Sequence, residues 1–261
     1  MLVKLMDATD RRYFNRWLRA LGKNKPAGLW QRFLLLPELP PLNFSNEVSA
    51  VYSAAIEGNT VDLNSYMRSK TRGQRAGFKE KEFAEIEALV GAYKYAQRYA
   101  LNEENLLAAH SILSTPLLPK SGRGRYRRQP MAVYSRHGIE YVAVEPEFVP
   151  EKMGELLDEV RELRRAPLDA AEVFYHAALI HLVFVHIHPF ADGNGRAARL
   201  LEKWFLASHL GREAWHIPSE WYYKQNRGTY YRTIKIGVDY YSLDYDRCIP
   251  FLTLLVKALV P

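Results

Sequence analysis

The sequence predicts a mostly α-helical protein carrying one β-hairpin. Apolar residues recur at three- and four-residue spacing through most of the chain, the pattern of helices with one buried face. Only residues 124–144 change period: Met131-Ala132-Val133-Tyr134 and Ile139-Glu140-Tyr141-Val142-Ala143-Val144 flank Ser135-Arg136-His137-Gly138, which reads as two strands and a turn. With 261 residues, 48% of them hydrophobic, the chain can bury one sizeable core with a small accessory region.

Taken in order, residues 10–21 place Phe14, Trp17, Leu18 and Leu21 on one helical stripe, stopped by Gly22. The proline-rich stretch 36–42 is expected to be an extended linker. Ser45 opens a helix that runs through Glu57, with Val48, Val51, Tyr52, Ala55 and Ile56 facing inward and Gly58-Asn59 ending it. Ser53 and Glu57 are four residues apart and share a face, and a carboxylate at that helix end opposes the dipole, so it calls for a cationic partner. Phe83, Ile86, Leu89, Val90, Tyr93, Ala96 and Tyr99 form a long amphipathic helix, and Asn102 caps another through Leu113. After the hairpin, 148–165 and 221–241 complete the helical set. Residues 169–186 are apolar nearly all round, which predicts a buried central helix or, as the second choice, a strand. Pro189 ends that element, and 196–210 reads as a further helix with Gly211 just past its end.

Bulk properties narrow the setting. The single cysteine, Cys248, excludes internal disulfides and fits a reducing compartment, so a cytoplasmic location is expected. No uninterrupted apolar run approaches a membrane span, and the first seven residues lack a signal peptide's apolar region, so no membrane partner is expected. The net charge of +7 is densest at 120–128, Lys-Ser-Gly-Arg-Gly-Arg-Tyr-Arg-Arg. A basic rim around a triphosphate site, a dock for an acidic target and a solvated loop all fit it; nucleic acid is disfavoured, since no recognised nucleic-acid motif accompanies it.

The densest chemistry lies at His188-Pro189-Phe190-Ala191-Asp192-Gly193-Asn194-Gly195-Arg196-Ala197-Ala198-Arg199. A glycine-lined turn entering a helix presents backbone N–H groups and a positive dipole end, and Arg196 and Arg199 follow within the first turn and a half. Anionic oxygens, phosphates above all, suit such a place. Asp192 offers the hard oxygen that Mg²⁺ takes alongside phosphate oxygens, and His188 offers a base near neutrality. These are the parts of phosphoryl or nucleotidyl transfer. His186, His188 and Asp192 also fit a metal-hydrolase ligand set, although no third His or Cys stands at a usual spacing. Arg196 and Arg199 fit an exposed stripe as well as a phosphate clamp. His181 and His186, within the apolar helix, read as structural.

The stretch resembles the Fic (filamentation induced by cyclic AMP) family, whose motif H-x-F-x-D/E-G-N-G-R-x-x-R is filled by His188, Phe190, Asp192, Gly193, Asn194, Gly195, Arg196 and Arg199. The resemblance covers Ser45 to about Leu255. It implies a Fic-type helical fold with the hairpin as a flap over the active site. It also implies an Mg²⁺-dependent protein adenylyltransferase that moves AMP from ATP to a Ser, Thr or Tyr hydroxyl of a target protein docked on that flap. His188 is then the catalytic base, and Asp192 holds the metal. The nucleotide is bound by Asp192, Gly193, Asn194, Gly195, Arg196 and Arg199, by Val133, Tyr134 and Ser135 of the flap, and by Tyr231 of the aromatic pair Tyr230-Tyr231, whose other reading is ordinary core. Gly124-Arg125-Tyr126-Arg127 also resembles the family. Ser53-Ala54-Ala55-Ile56-Glu57-Gly58 matches its inhibitory motif S/T-x-x-x-E-G/N. By that resemblance Glu57 pairs with Arg199 and fills the place of the ATP γ-phosphate. The expected organisation is an N-terminal helical region, 1–101, containing the inhibitory helix 45–58, followed by the catalytic core and C-terminal helices, 102–261, packed as one unit. A homodimer fits the same resemblance. A different class, an ATP-sensing module with little turnover, stays open, as do a Fic enzyme using another nucleotide and one that removes AMP.

Overall fold

The computed structural model describes residues 7–72, 80–135 and 138–260. Before the hairpin come α1 (Phe14–Ala20), α2 (Pro26–Leu34), α3 (Leu42–Ile56), α4 (Leu63–Arg72), α5 (Glu80–Ala96) and α6 (Glu103–Leu113). The hairpin is β1 (Ala132–Ser135) and β2 (Gly138–Val142); α7 (Val149–Leu163), α8 (Ala170–Ile187), α9 (Asn194–Leu210), α10 (Ser219–Gln225), α11 (Arg227–Ile234) and α12 (Ile249–Lys257) follow.

Helix α8 is the axis of the core. Asp169 and Glu172 close a capping box at its start, and every residue from Val173 to Ile187 is buried. It packs against α9, α7, α12 and α2. Its 18 residues have the length and a mean hydropathy of 1.5 that a membrane span would show, but 83% of them are covered by the rest of the fold. Charged and polar positions such as Glu172, His176 and His181 interrupt the run, and each finds a partner.

Several boundaries differ from the sequence expectation. Helix α3 starts at Leu42 rather than Ser45, directly after Pro41, whose φ of −53° already suits helix entry. Ser45 therefore lies inside the helix, its hydroxyl 2.7 Å from His216 Nδ1. Helix α2 was not anticipated: Pro26 occupies its first turn and is buried with Leu29 and Trp30, and Phe33 stacks on Trp30. Helix α4 was not anticipated either: its core-facing stripe is only Leu63, Tyr66 and Met67, and the rest of the helix is polar. Residues 221–241 are not one helix. They break at Asn226, leave helical geometry at Lys235, and run beside the hairpin, where Val142 N–H donates to Val238 O at 3.0 Å. Gly237 permits this, since a Cβ there would lie 2.7 Å from Ser242 O.

The hairpin pairs Ala132 with Val142 and Val133 with Tyr141, and a bulge between Val133 and Tyr134 shifts the register to Tyr134 with Ile139. Arg136 and His137, expected in the turn, lie outside the described residues. Tyr141 Oη donates to His186 O at 2.6 Å and fixes β2 to the end of α8.

Buried histidines set a pH response. Burial pushes His110 and His186 down to about 4, and it also lowers His176, His188, His209 and His216. A group whose folded value is below its unfolded value near 6.5 binds its proton first in the unfolded chain. Stability is thus complete above pH 6.5 and falls as pH drops towards 4, by roughly 3 kcal/mol each for His110 and His186. Urea midpoints should be clearly lower at pH 5 than at pH 7.5, above the range where carboxylates titrate. A flat profile across that window would contradict the burial of these rings.

Candidate active site

The loop between α8 and α9 is held in one conformation by the chain around it. His188 adopts φ 53°, ψ 57°, and among the described residues it is the one non-glycine at positive φ. That backbone costs about 1–2 kcal/mol and persists because neighbours fix it. Buried Arg127 does most of the fixing: its Nε donates to His188 O at 2.8 Å and its backbone N–H to Pro189 O at 2.9 Å. Its other nitrogens donate to Gln129 O, Val144 O and Ile187 O, so one guanidinium joins the loop to the root of the flap. Asn194 pins the loop from inside, accepting from Phe190 N–H and donating to Phe190 O, both at 2.8 Å. Its amide is thereby committed to the backbone, whereas the expectation placed it on the nucleotide.

His110 of α6 was invisible as a functional residue in the sequence. It stacks on Phe190 at 3.5 Å and 7°. Gly124 N–H donates to its Nδ1 at 3.0 Å, so Nε2 carries the hydrogen and donates to Asp192 O at 3.0 Å. A single histidine on a half-apolar helix gives no pattern that would betray this role.

His188 itself is half-buried, with Nδ1 3.1 Å from Val185 O. Nδ1 therefore carries the ring hydrogen, and Nε2 is left with a free lone pair. Burial lowers the imidazole's affinity for a second proton, the Val185 bond works against that, and Arg127 adds to it. The ring faces a cavity of about 170 Å³ lined also by Glu57, Val133, Tyr141, Gly195, Tyr230 and Tyr231.

Across the cavity lies an ion pair. Arg199 is fully buried; Nη2 donates to Glu57 Oε1 at 2.8 Å and to Ser53 O at 3.0 Å, Nε to Ser53 Oγ at 2.9 Å, and Nη1 to Tyr230 Oη at 3.2 Å. Burial works to raise the Glu57 carboxyl, but the Arg199 and Arg196 charges and the bonds from Arg199 and Tyr231 outweigh it and hold it below its ordinary value. The carboxylate presses against the first turn of α9, where a Cβ on Gly195 would come within 2.3 Å of Glu57 Oε1. Glycine at 195 is what lets an acidic group reach that helix N-terminus. The end of α3 is held in turn by α10 and α11: Arg227 donates to Ile56 O at 2.7 Å, Tyr231 to the same oxygen at 3.0 Å, and Lys224 to Ala55 O at 3.2 Å. Gly58, at φ 105°, turns the chain away.

The remaining expected site residues are more dispersed. Arg196 does not join Arg199 in a clamp; it pairs with Glu85 of α5, Nε to Oε1 at 2.6 Å, because α5 places a buried carboxylate within reach. Glu85 also accepts from Asn59 Nδ2 at 3.0 Å, linking Arg196 to the segment after Glu57. Tyr134 is 70% exposed and outside the cavity lining, since the bulge turns it outward. The side chain of Ser135 lies outside the described residues. Asp192 is half-exposed at the loop mouth, with Oδ1 accepting from Gly193 N–H at 2.6 Å and 3.9 Å from Arg196 Nη1. Among the described residues no three metal-ligating side chains cluster, so the metal-hydrolase option finds no support. A lone carboxylate beside phosphates is nevertheless a donor set that Mg²⁺ accepts. The basic stretch 120–128 borders a separate groove of about 730 Å³ that reaches Ala191.

Comparison with known proteins bears on the family and the fold. A model of the Fic/DOC family matches residues 100–206. The chain is 31% identical over 197 residues to Protein adenylyltransferase Fic of Drosophila erecta, covering 71% of this chain and 36% of that protein. It is 28% identical over 156 residues to Protein adenylyltransferase fic-1 of Caenorhabditis briggsae, covering 58% and 29%. The chain thus spans about a third of the length of the curated relatives it matches. A Fic family protein from Desulfovibrio desulfuricans superposes with a TM-score of 0.74 at 25% identity, over 95% of this chain and 72% of that one. Fic-1 from Caenorhabditis elegans gives 0.66 at 21% identity, over 94% and 69%, and supports the fold. With His188 to Arg199 lying inside the matched span, the chain carries a Fic/DOC family domain at residues 100–206.

Proposed function

We propose that this protein transfers AMP from ATP to a Ser, Thr or Tyr hydroxyl of a target protein and that Glu57 keeps it silent. The observation that carries the reading is the Glu57 carboxylate seated on Arg199 and Gly195 at the start of α9, opposite His188. An acidic side chain there occupies an anion site, and the natural competitor for it is a phosphate. The names of the relatives favour AMP as the group moved.

In the transfer, His188 Nε2 takes the hydroxyl proton while the hydroxyl oxygen bonds to the α-phosphorus. The bond from that phosphorus to the bridging oxygen breaks, and pyrophosphate leaves. Backbone N–H groups opening α9 and the Arg199 guanidinium offset the charge that grows on the phosphate oxygens. Asp192 would hold Mg²⁺, which when bound neutralises phosphate charge. Tyr231 and Val133 border the space left for the nucleotide, and the exposed hairpin edge suits an extended target segment. A cytoplasmic setting belongs to the same reading.

The test is intact-mass measurement after incubation of wild type, Glu57→Gly and Glu57→Gly/His188→Ala with Mg²⁺ and ATP. An AMP-sized gain in Glu57→Gly alone supports the reading. The extent of bonding around Glu57 also favours a second one, an ATP sensor whose locked form is its working form. ATP binding without turnover in Glu57→Gly would select it.

A further inference from the structure

Arg199 is a buried cation, and most of what holds it belongs to the inhibitory segment. Ser53 Oγ, Ser53 O and Glu57 Oε1 all lie on α3 or its C-cap. Among the described residues only Tyr230 Oη, on α11, comes from elsewhere. When Glu57 leaves, the guanidinium loses its charge partner inside the protein, yet it must stay aimed at the cavity to meet a phosphate.

Behind Tyr230 runs a closed chain of bonds that the reaction scheme above does not use. Tyr230 Oη lies 3.0 Å from His181 Nε2, and His181 Nδ1 lies 2.8 Å from Glu202 Oε2. Tyr223 Oη donates to Glu202 at 3.0 and 2.9 Å. Tyr223, Tyr230, His181 and Glu202 are at most 1% exposed. The order of hydrogens follows from the chemistry of the groups. A carboxylate only accepts, so His181 Nδ1 carries the hydrogen, and in the neutral ring Nε2 carries the lone pair. Nε2 then accepts from the Tyr230 hydroxyl, and the phenol oxygen is left with its lone pairs towards Arg199 Nη1. Glu202 thereby fixes Tyr230 as an acceptor for the guanidinium, through two intermediaries and without touching the cavity, whose lining includes Tyr230 but neither His181 nor Glu202.

We infer that Glu202, His181 and Tyr230 are positioning residues that hold Arg199 ready for the terminal phosphates of ATP whether or not Glu57 is engaged. This rests on the reading that Arg199 faces those phosphates. Helix α9 is well suited to the task, because Arg199 and Glu202 are one turn apart on it and the chain closes through α8 and α11.

The test uses the full chain in the Glu57→Gly background, with ATP and AMP affinities measured by calorimetry. Tyr230→Phe should weaken ATP about tenfold, the scale of a lost bond to a charged group, and leave AMP unchanged, because AMP lacks the phosphates Arg199 would hold. Glu202→Gln should weaken ATP severalfold in the same selective way. In a protein that also carries Arg199→Ala, Tyr230→Phe should cost nothing further, since both act through one group. Equal losses for ATP and AMP, or a full second loss on top of Arg199→Ala, would mean the cluster only supports the core and would overturn the inference. If Glu202→Gln fails to fold, Tyr230→Phe, which removes one oxygen, decides alone. A Glu57→Gly parent with no preference for ATP over AMP would sink the phosphate reading and this inference with it; a preference kept in full by Tyr230→Phe sinks only the inference.

Discussion

Replacing Glu57 with glycine is expected to raise AMP transfer by about two orders of magnitude, the change produced when a state disfavoured by some 2.7 kcal/mol becomes the populated one. Two opposing effects on the fold should accompany the gain. The substitution strips a fully buried guanidinium of its carboxylate, which costs stability, but the carboxylate side of the pair is 24% exposed and so partly screened. A loss of about 2 kcal/mol follows, or roughly 4–8 °C in Tm for a chain of this size. ATP should restore most of it by putting phosphate oxygens where the carboxylate had been. A thermal scan with and without Mg²⁺ and ATP reads both effects. Wild type should show little ATP-dependent shift, and Glu57→Gly a large one. If ATP shifts both proteins equally, Glu57 does not occupy a phosphate position, whatever happens to activity.

In that activated background His188→Ala is expected to lower transfer about a thousandfold, the middle of the range for removing a general base, while ATP binding stays as it was. The sign of the pH response follows from burial. The working form of the ring is neutral, and burial favours that form, so kcat/KM should rise with pH along a limb centred below the ordinary 6.5 and then level off. Glu57 is among the groups that favour the protonated ring. Removing it should move the limb further towards acid. A limb centred above 6.5 would assign the proton acceptor to another group.

The legible parts of this protein were those where local chemistry and tertiary role coincide. The motif 188–199 could be read because its glycines, Asp192 and His188 act within a few residues of one another. Helix α8 could be read because burial on all sides leaves an unbroken apolar record. The pairing of Glu57 with Arg199 was expected by resemblance; the carboxylate set against a helix dipole called by itself only for some cationic partner. What stayed hidden depends on contacts across sequence. Glu85 is one charge among several on α5, and nothing in its surroundings says that Arg196 will turn to it and away from Arg199. Asn194 occupies a motif position, yet its amide is spent on Phe190. His110 and Arg127 act through backbone carbonyls that carry no sequence signature at all. The bulge that turns Tyr134 outward is a matter of strand register, which a hairpin only four to five residues long per strand does not declare in advance.

The loop that carries His188 is braced by Arg127, Asn194 and His110, and the hydrogen bonds by which they brace it involve no residue of α3. The inhibitory helix end and the His188 loop thus have separate braces, and they meet at the first turns of α9, where Glu57 rests on Gly195 and Arg199. Lifting the restraint asks for no rebuilding of the loop, so switching should be a quick local displacement of the end of α3 that can be undone and repeated. A protein built this way can stand ready, fully assembled, and wait on a signal that has only to compete for the grip of Lys224, Arg227 and Tyr231 on one helix end.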